Sequence, residues 1–179
     1  MSRLVILRYP DQRLTRTAKP VTEFDQNLKK LVNDMIETMY EAPGIGLAAP
    51  QVNVNKQIII LDASDNKDDL HIFINPQIIS ASSEKDVFEE GCLSLPGIYE
   101  KIERPSSVTV QAFNAEGNSF ELQADGLMAV CLQHEIDHLR GFVFVDYLSP
   151  MKRNRIKSKL LKQEREIRRT PQQKTRKKK

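Results

Sequence analysis

The sequence predicts an α+β fold: mixed or antiparallel β-sheets packed around a central buried helix that carries an HExxH motif, with an N-terminal helix and a basic C-terminal helix. Three observations lead there. Segments rich in β-branched residues are grouped between residues 57 and 124 with no helical pattern among them, which argues against a parallel βαβ array. Apolar residues recur at 3–4-residue spacing before and after that group. The helix that follows the strands is apolar around most of its circumference, as an enclosed element should be.

In chain order, Thr22-Glu23-Phe24-Asp25 has the form of a capping box with Asp25 at the acidic N3 position. Leu28, Leu31, Val32, Met35, Ile36 and Met39 then fall on one stripe, so a helix is expected over 24–41, ended by Pro43-Gly44. A glycine-punctuated loop follows, Gly44-Ile45-Gly46-Leu47-Ala48-Ala49-Pro50-Gln51. Strands are expected at 57–61, 71–74, 77–80, 85–90, 107–113 and 119–124, with residues 115–118 as the last hairpin turn. Asp125 is a suitable N-cap for a helix over 126–140, and Gly141 suits its C′ position. Residues 142–147 can form a short final strand. Ser149 and Pro150 read as N-cap and N1 of a third helix, running to about residue 169 before Thr170-Pro171. The tail over 172–179 is expected to be disordered. This divides the chain into a catalytic domain over 1–149 and a basic helix with its tail over 150–179.

Charge supports the same division. Residues 150–179 carry 14 Lys and Arg against 2 Glu, which leaves 13 basic and 22 acidic residues in 1–149. The net charge of +3 therefore comes from the tail alone. Such a tail suits a polyanionic partner, nucleic acid or an anionic surface, although a solvated helix has the same composition. No apolar run approaches the ~20 residues that span a bilayer, and the opening residues lack the form of a signal peptide, so the cytosol is expected. Two cysteines in such a chain mean chemistry or packing more often than a crosslink.

The chemistry is carried by His134-Glu135-Ile136-Asp137-His138. Histidines four apart share a helix face and can reach one metal ion, and Glu135 can touch a water on that metal without ligating it. Burial sharpens the reading, because two enclosed imidazoles need polar partners and one cation satisfies both. A third ligand must come from elsewhere. Phe144 stands where metzincin proteases have a third His, and the first Glu after the motif, Glu164, lies inside the basic tail. His71 reads as a strand-edge residue, and Cys131 lies about 10 Å along the helix from His138. Cys92, within Glu90-Gly91-Cys92-Leu93-Ser94-Leu95-Pro96, remains. Cys92, His134 and His138 leave a fourth position for water, the pattern of a catalytic centre. A thiolate with two imidazoles suits Zn²⁺ or Fe²⁺. The rival readings are a zincin-like metallopeptidase, which lacks its downstream ligand here, and a nucleic-acid-binding module with a structural metal, which leaves Glu135 without a task.

Three ordered segments, GIGLAAPQ (44–51), EGCLSLP (90–96) and QHEIDHLRG (133–141), resemble the signature motifs of the peptide deformylase family, and similarity runs from residue 4 to about 150. The resemblance implies removal of the formyl group from N-formylmethionine on newly made bacterial or organellar chains. The absence of a transit-like leader favours a bacterium. It implies one divalent metal on Cys92, His134 and His138, commonly Fe²⁺, with Ni²⁺, Co²⁺ or Zn²⁺ tolerated. Glu135 becomes the general acid/base, and the Gln51 amide and Leu93 N–H stabilise charge on the formyl oxygen. Ile45, Gly46 and Gly91 offer backbone bonds to an extended peptide. Ile45, Phe88, Leu127, Val130 and Cys131 line a methionine pocket beside His134. For the basic tail the resemblance implies docking on the ribosome near its exit tunnel, and a monomer with no membrane association is expected. Two departures stand out: Tyr99 occupies the neighbourhood of a basic side chain, and Ile102-Glu103 replaces a hydrophobic-proline pair before Arg104.

Overall fold

The computed structural model describes residues 3–169. The Thr170-Pro171 stop and the expected disorder of residues 172–179 lie outside the described residues. The fold is α+β: two antiparallel sheets and three α-helices.

Helix α1 (Gln26–Glu41) begins one residue beyond Asp25, whose side chain accepts from the Leu28 N–H at 2.9 Å. Asp25 is thus the N-cap itself and not the N3 partner of Thr22. The reason lies upstream: the Val21 backbone is tied by its N–H and C=O to the Asn75 amide, which keeps the approach to the helix outside it. Strands β1 (Gly46–Ala48), β2 (Ile58–Leu61), β3 (His71–Ala81), β6 (Ser107–Phe113) and β7 (Ser119–Asp125) form one sheet in the order β1-β2-β3-β6-β7. The strands expected at 71–74 and 77–80 are one strand, β3, interrupted by bulges and by Asn75 at φ 52°. Strands β4 (Lys85–Cys92) and β5 (Leu95–Pro105) form a separate two-stranded sheet.

Strand β2 shows how the layers are built. All four of its residues are buried, because alternate side chains serve opposite cores. Ile58 and Ile60 join Val32, Met35 and Met39 of α1, whereas Ile59 and Leu61 join Leu132 and Ile136 of helix α2 (Gly126–Leu139). A third core collects Leu95, Ile98 and Ile102 of β5 with Phe144, Val145 and helix α3 (Pro150–Arg169). Residues 142–147 are not the expected strand: Phe144–Tyr147 is a 3-10 turn, closed by a bond from the Val143 N–H to Asp146 Oδ2 at 2.9 Å. The turn buries Phe144 and Val145, a payload that a strand on the surface would not. Of the apolar residues on α3 only Ile156 and Leu160 are fully buried, while Met151 and Ile167 stay exposed. Among the described residues no helix is long and apolar enough to cross a membrane.

Helix α2 is buried from Ala129 to Leu139. It ends as its sequence suggests: Gly141 at φ 81° lets its own N–H reach the His138 carbonyl and the Phe142 N–H reach the Asp137 carbonyl. A Cβ at Gly141 would also collide with the Thr15 carbonyl. Gly141→Ala is therefore expected to destabilise the fold by about 2–4 kcal/mol, read as a lower urea midpoint at unchanged slope.

Candidate metal centre

The hairpin of β4 and β5 presents Cys92, and α2 presents the two histidines. Cys92 pairs with Leu95 across a turn that holds Leu93 and Ser94, after a register shift between Glu90 and Cys92 that re-aims the strand end. One ligand-capable atom from each of Cys92, His134 and His138 lies within 4.8 Å of the others. Cys92 Sγ is 3.3 Å from His138 Nε2. Two such donors around a tetrahedral Zn²⁺-sized ion would stand about 3.5 Å apart. The histidine rings are 5.0 Å apart and meet edge to face. Burial, with His134 beside it, holds His138 well below the ordinary histidine range, in the neutral form that ligates. His71, weighed as an alternative ligand, pairs instead with Asp69 at 3.0 Å.

His134 is held from behind. Its Nδ1 lies 2.8 Å from Glu90 Oε2, so Nε2 is the nitrogen left to face Cys92. Glu90 in turn accepts from Arg104 through both carboxylate oxygens, and Arg104 Nη1 donates to Asp137 Oδ2 at 2.8 Å. Burial alone would raise the Glu90 carboxyl, but bonds from His134 and Arg104 outweigh it and hold it below the usual range. Sequence reading named none of Glu90, Asp137 or Ser94 as functional, although Glu90 and Ser94 stand inside the EGCLSLP segment. A buried arginine demands carboxylates, and Arg104 was the available signal.

Glu135 sits beside the cluster, with Oε1 against the backbone of Gly46, where any Cβ would lie 2.5 Å from it. Its Oε2 is buried and finds no hydrogen-bond partner within the protein. Burial pushes this carboxyl up to about 7. Gln51 is oriented by its own loop: Oε1 accepts from the Ala48 N–H at 2.8 Å, which turns Nε2 toward Cys92 Sγ at 3.4 Å and Ser94 Oγ at 3.1 Å. A sulfur, two imidazoles and an unpartnered carboxylate oxygen are the environment a divalent cation and a water would satisfy.

A cavity of about 970 Å³ opens onto this cluster. Ile45, Gly46, Phe88, Gly91, Leu127, Val130 and Cys131 all line it, as do Leu93, Cys92, His134 and Glu135. Gln51 does not, being behind the cluster. Burial pushes the Cys131 thiol up to about 12, which makes it wall and not nucleophile. The N-terminal segment contributes Arg3, Leu4, Val5, Ile6 and Arg8, which sequence reading did not assign to the groove. Tyr99 stands exposed at the rim with its ring against Gly91, while Ile102 is buried in the third core and Glu103 pairs with Lys85.

Comparison with known proteins agrees with this geometry. The family model described as polypeptide deformylase matches residues 4–154. Peptide deformylase 1 of Ralstonia nicotianae is 59% identical over 162 residues, covering 90% of this chain and 96% of the relative. Peptide deformylase of Pseudomonas aeruginosa is 53% identical over 166 residues, covering 93% and 99%. Among solved structures, a peptide deformylase from Legionella pneumophila superposes with a TM-score of 0.90 at 46% identity, covering 95% of this chain and all of that one. The Ehrlichia chaffeensis peptide deformylase in complex with actinonin gives 0.89 at 43%, covering 92% and 99%. The thiol and imidazoles that the fold gathers, and a likeness that runs through nearly the whole described chain, place this protein in the polypeptide deformylase family.

Proposed function

We infer that this chain is a metal-dependent hydrolase that removes the formyl group from N-formylmethionyl peptides of newly made proteins and releases formate. The convergence of Cys92, His134 and His138, with Cys92 and His134 lining the cavity, carries the reading. Cys92 Sγ and the His134 and His138 Nε2 atoms are its proposed ligands. When bound, the metal supplies Lewis acidity toward a water and toward the formyl oxygen. Glu135 takes the proton of the attacking water and returns one to the departing amine. The Gln51 Nε2 and the Leu93 N–H donate to the oxygen on which charge develops. Ile45, Gly46 and Gly91 bond the main chain of an extended peptide, in the manner of an added strand. Ile45, Phe88, Leu127, Val130 and Cys131 receive the methionine. The HExxH helix is the proposed centre of the architecture, with catalytic residues confined to 1–149.

The assay is formate release from formyl-Met-Ala-Ser, set against cleavage of an internal bond in an unformylated peptide. Formate alone supports the reading, and internal cleavage alone would reverse it in favour of a zincin-like peptidase. Glu90→Gln is expected to weaken metal binding by about 10–100-fold, measured by competition with a chelator, since His134 loses the anionic partner that raises its basicity.

For the metal we propose Fe²⁺, with Zn²⁺, Ni²⁺ and Co²⁺ as competent substitutes; elemental analysis of anaerobically purified protein decides. We propose a monomer in the bacterial cytoplasm, a compartment that two free thiols and the substrate itself fit. We further propose that α3, with the tail over 150–179, meets the ribosome near its exit tunnel. Arg155, Lys157, Lys159 and Lys162 are exposed along it. Truncation at Ser149 would also strip Ile156 and Leu160 from the third core, so charge reversal is the cleaner test. Lys157→Glu with Lys159→Glu should reduce co-sedimentation with ribosomes, and undiminished binding would remove the tail from this role.

A further inference from the structure

We propose that Tyr147 is a positioning residue for His134, acting through Asp137, Arg104 and Glu90. The proposal rests on the reading of Cys92, His134 and His138 as metal ligands. Tyr147 closes the 3-10 turn after α2 and is 55% exposed. Its hydroxyl nevertheless donates inward, to Asp137 Oδ2 at 2.8 Å. That same oxygen accepts from Arg104 Nη1, also at 2.8 Å. The Arg104 guanidinium carbon meanwhile lies 5.0 Å from the centre of the Tyr147 ring. One side chain therefore holds both ends of the Arg104–Asp137 pair: its hydroxyl fixes the carboxylate, and its ring supports the cation.

From there the contacts run in one direction. Arg104 uses Nε and Nη2 on Glu90, and Glu90 Oε2 receives both Arg104 Nη2 at 3.0 Å and His134 Nδ1 at 2.8 Å. Asp137, Arg104, Glu90 and His134 are all buried, whereas Tyr147 is largely exposed. It borders a second cavity of about 220 Å³, lined by Asp137, Arg140, Phe142, Asp146 and Tyr147. None of these residues lines the substrate cavity. Tyr147 thus lies outside the substrate cavity, and its hydrogen-bonded route to the centre runs through the carboxylates and the guanidinium. Without the hydroxyl, Asp137 Oδ2 keeps one donor in place of two and Arg104 loses part of its anchor. The orientation of Glu90, and with it the basicity and tilt of the His134 ring, is then less firmly set.

The test uses the full chain loaded with Co²⁺, whose visible absorption reports ligand geometry. Tyr147→Phe keeps the ring and removes the bond; Tyr147→Leu removes both; Phe142→Leu alters the same cavity without touching the network. Release of Co²⁺ to excess chelator should be about three- to tenfold faster in Tyr147→Phe, less than a direct partner of the ligand would cause. It should be faster again in Tyr147→Leu and unchanged in Phe142→Leu. The visible band should shift in both Tyr147 variants while KM for formyl-Met-Ala-Ser holds. Release and spectrum identical to wild type in Tyr147→Phe would overturn the proposal, and so would equal acceleration in Phe142→Leu, which would mark a packing effect. Wild-type protein that binds no Co²⁺ would sink the ligand reading itself, a result distinct from either.

Discussion

Cys92→Ala leaves the purified chain substoichiometric in metal and lowers kcat/KM by on the order of 10⁴-fold or more, because at neutral pH a water with pKa ~7 yields far more hydroxide than one at ~15.7. The two remaining donors share one helix face and cannot by themselves surround an ion. His134 and His138 come from α2, whereas Cys92 comes from the end of β4, so its loss removes the sole contribution of the hairpin to the proposed ligand set. Inductively coupled plasma analysis and the formate assay, run on the same preparation, check both halves. Full metal content with wild-type turnover would show that the thiolate is dispensable.

Glu135→Gln separates binding from chemistry. Metal content should be unchanged, KM nearly so, and kcat lower by on the order of 10²–10⁴-fold, the usual worth of a positioned proton acceptor. The pH profile adds a sign. Burial lifts the Glu135 carboxyl to about 7, and a divalent cation a few ångströms away pulls it back down. Activity of the wild type should therefore fall on the acid side as this group gains its proton, with the midpoint below 7, and that limb should vanish in the variant. Stability moves the opposite way. A carboxyl raised in the fold from 4.5 to about 7 binds more protons there than in the unfolded chain, so metal-free stability declines as pH rises through that window. At pH 8 the neutral amide avoids this loss, and metal-free Glu135→Gln should be more stable than metal-free wild type by about 2–3 kcal/mol. A variant both inactive and sturdier would identify the carboxylate as a group held for function against the preference of the fold.

Local features in the sequence were enough for α2. Its Asp125 start, its apolar circumference and its closing Gly141 are readable without tertiary information, and the helix forms where they put it. Strand β5 was not readable. Gly97 at φ 73° breaks its alternation, Lys101 and Glu103 charge its outer face, and Glu100 puts a further charge among the inward positions, so the segment reads as loop. Asp25 illustrates a subtler failure, since an acid near a helix start fits either the cap or the N3 position and only the path of residues 21–24 decides. At the site, the two histidines were legible as proposed ligands because their spacing is a helical period, and Cys92 because it stands in the EGCLSLP segment. The support behind them was not. Glu90 lies 14 residues from Arg104, and Arg104 lies 33 from Asp137, so those bonds exist only after β4 has paired with β5 and both have met α2.

The two sheets share no strand pairing, yet the proposed ligands are drawn from both sides of the gap, one from the small hairpin and two from the helix lying on the large sheet. A cation there would act as a rivet between parts that share no strand, alongside the Glu90–His134 and Arg104–Asp137 bonds. Occupancy a hundredfold above the dissociation constant would then add about 2.7 kcal/mol to cohesion. Chelation should accordingly make the hairpin the first region to yield to proteases and to amide exchange, and melting temperature should climb with the free concentration of the ion.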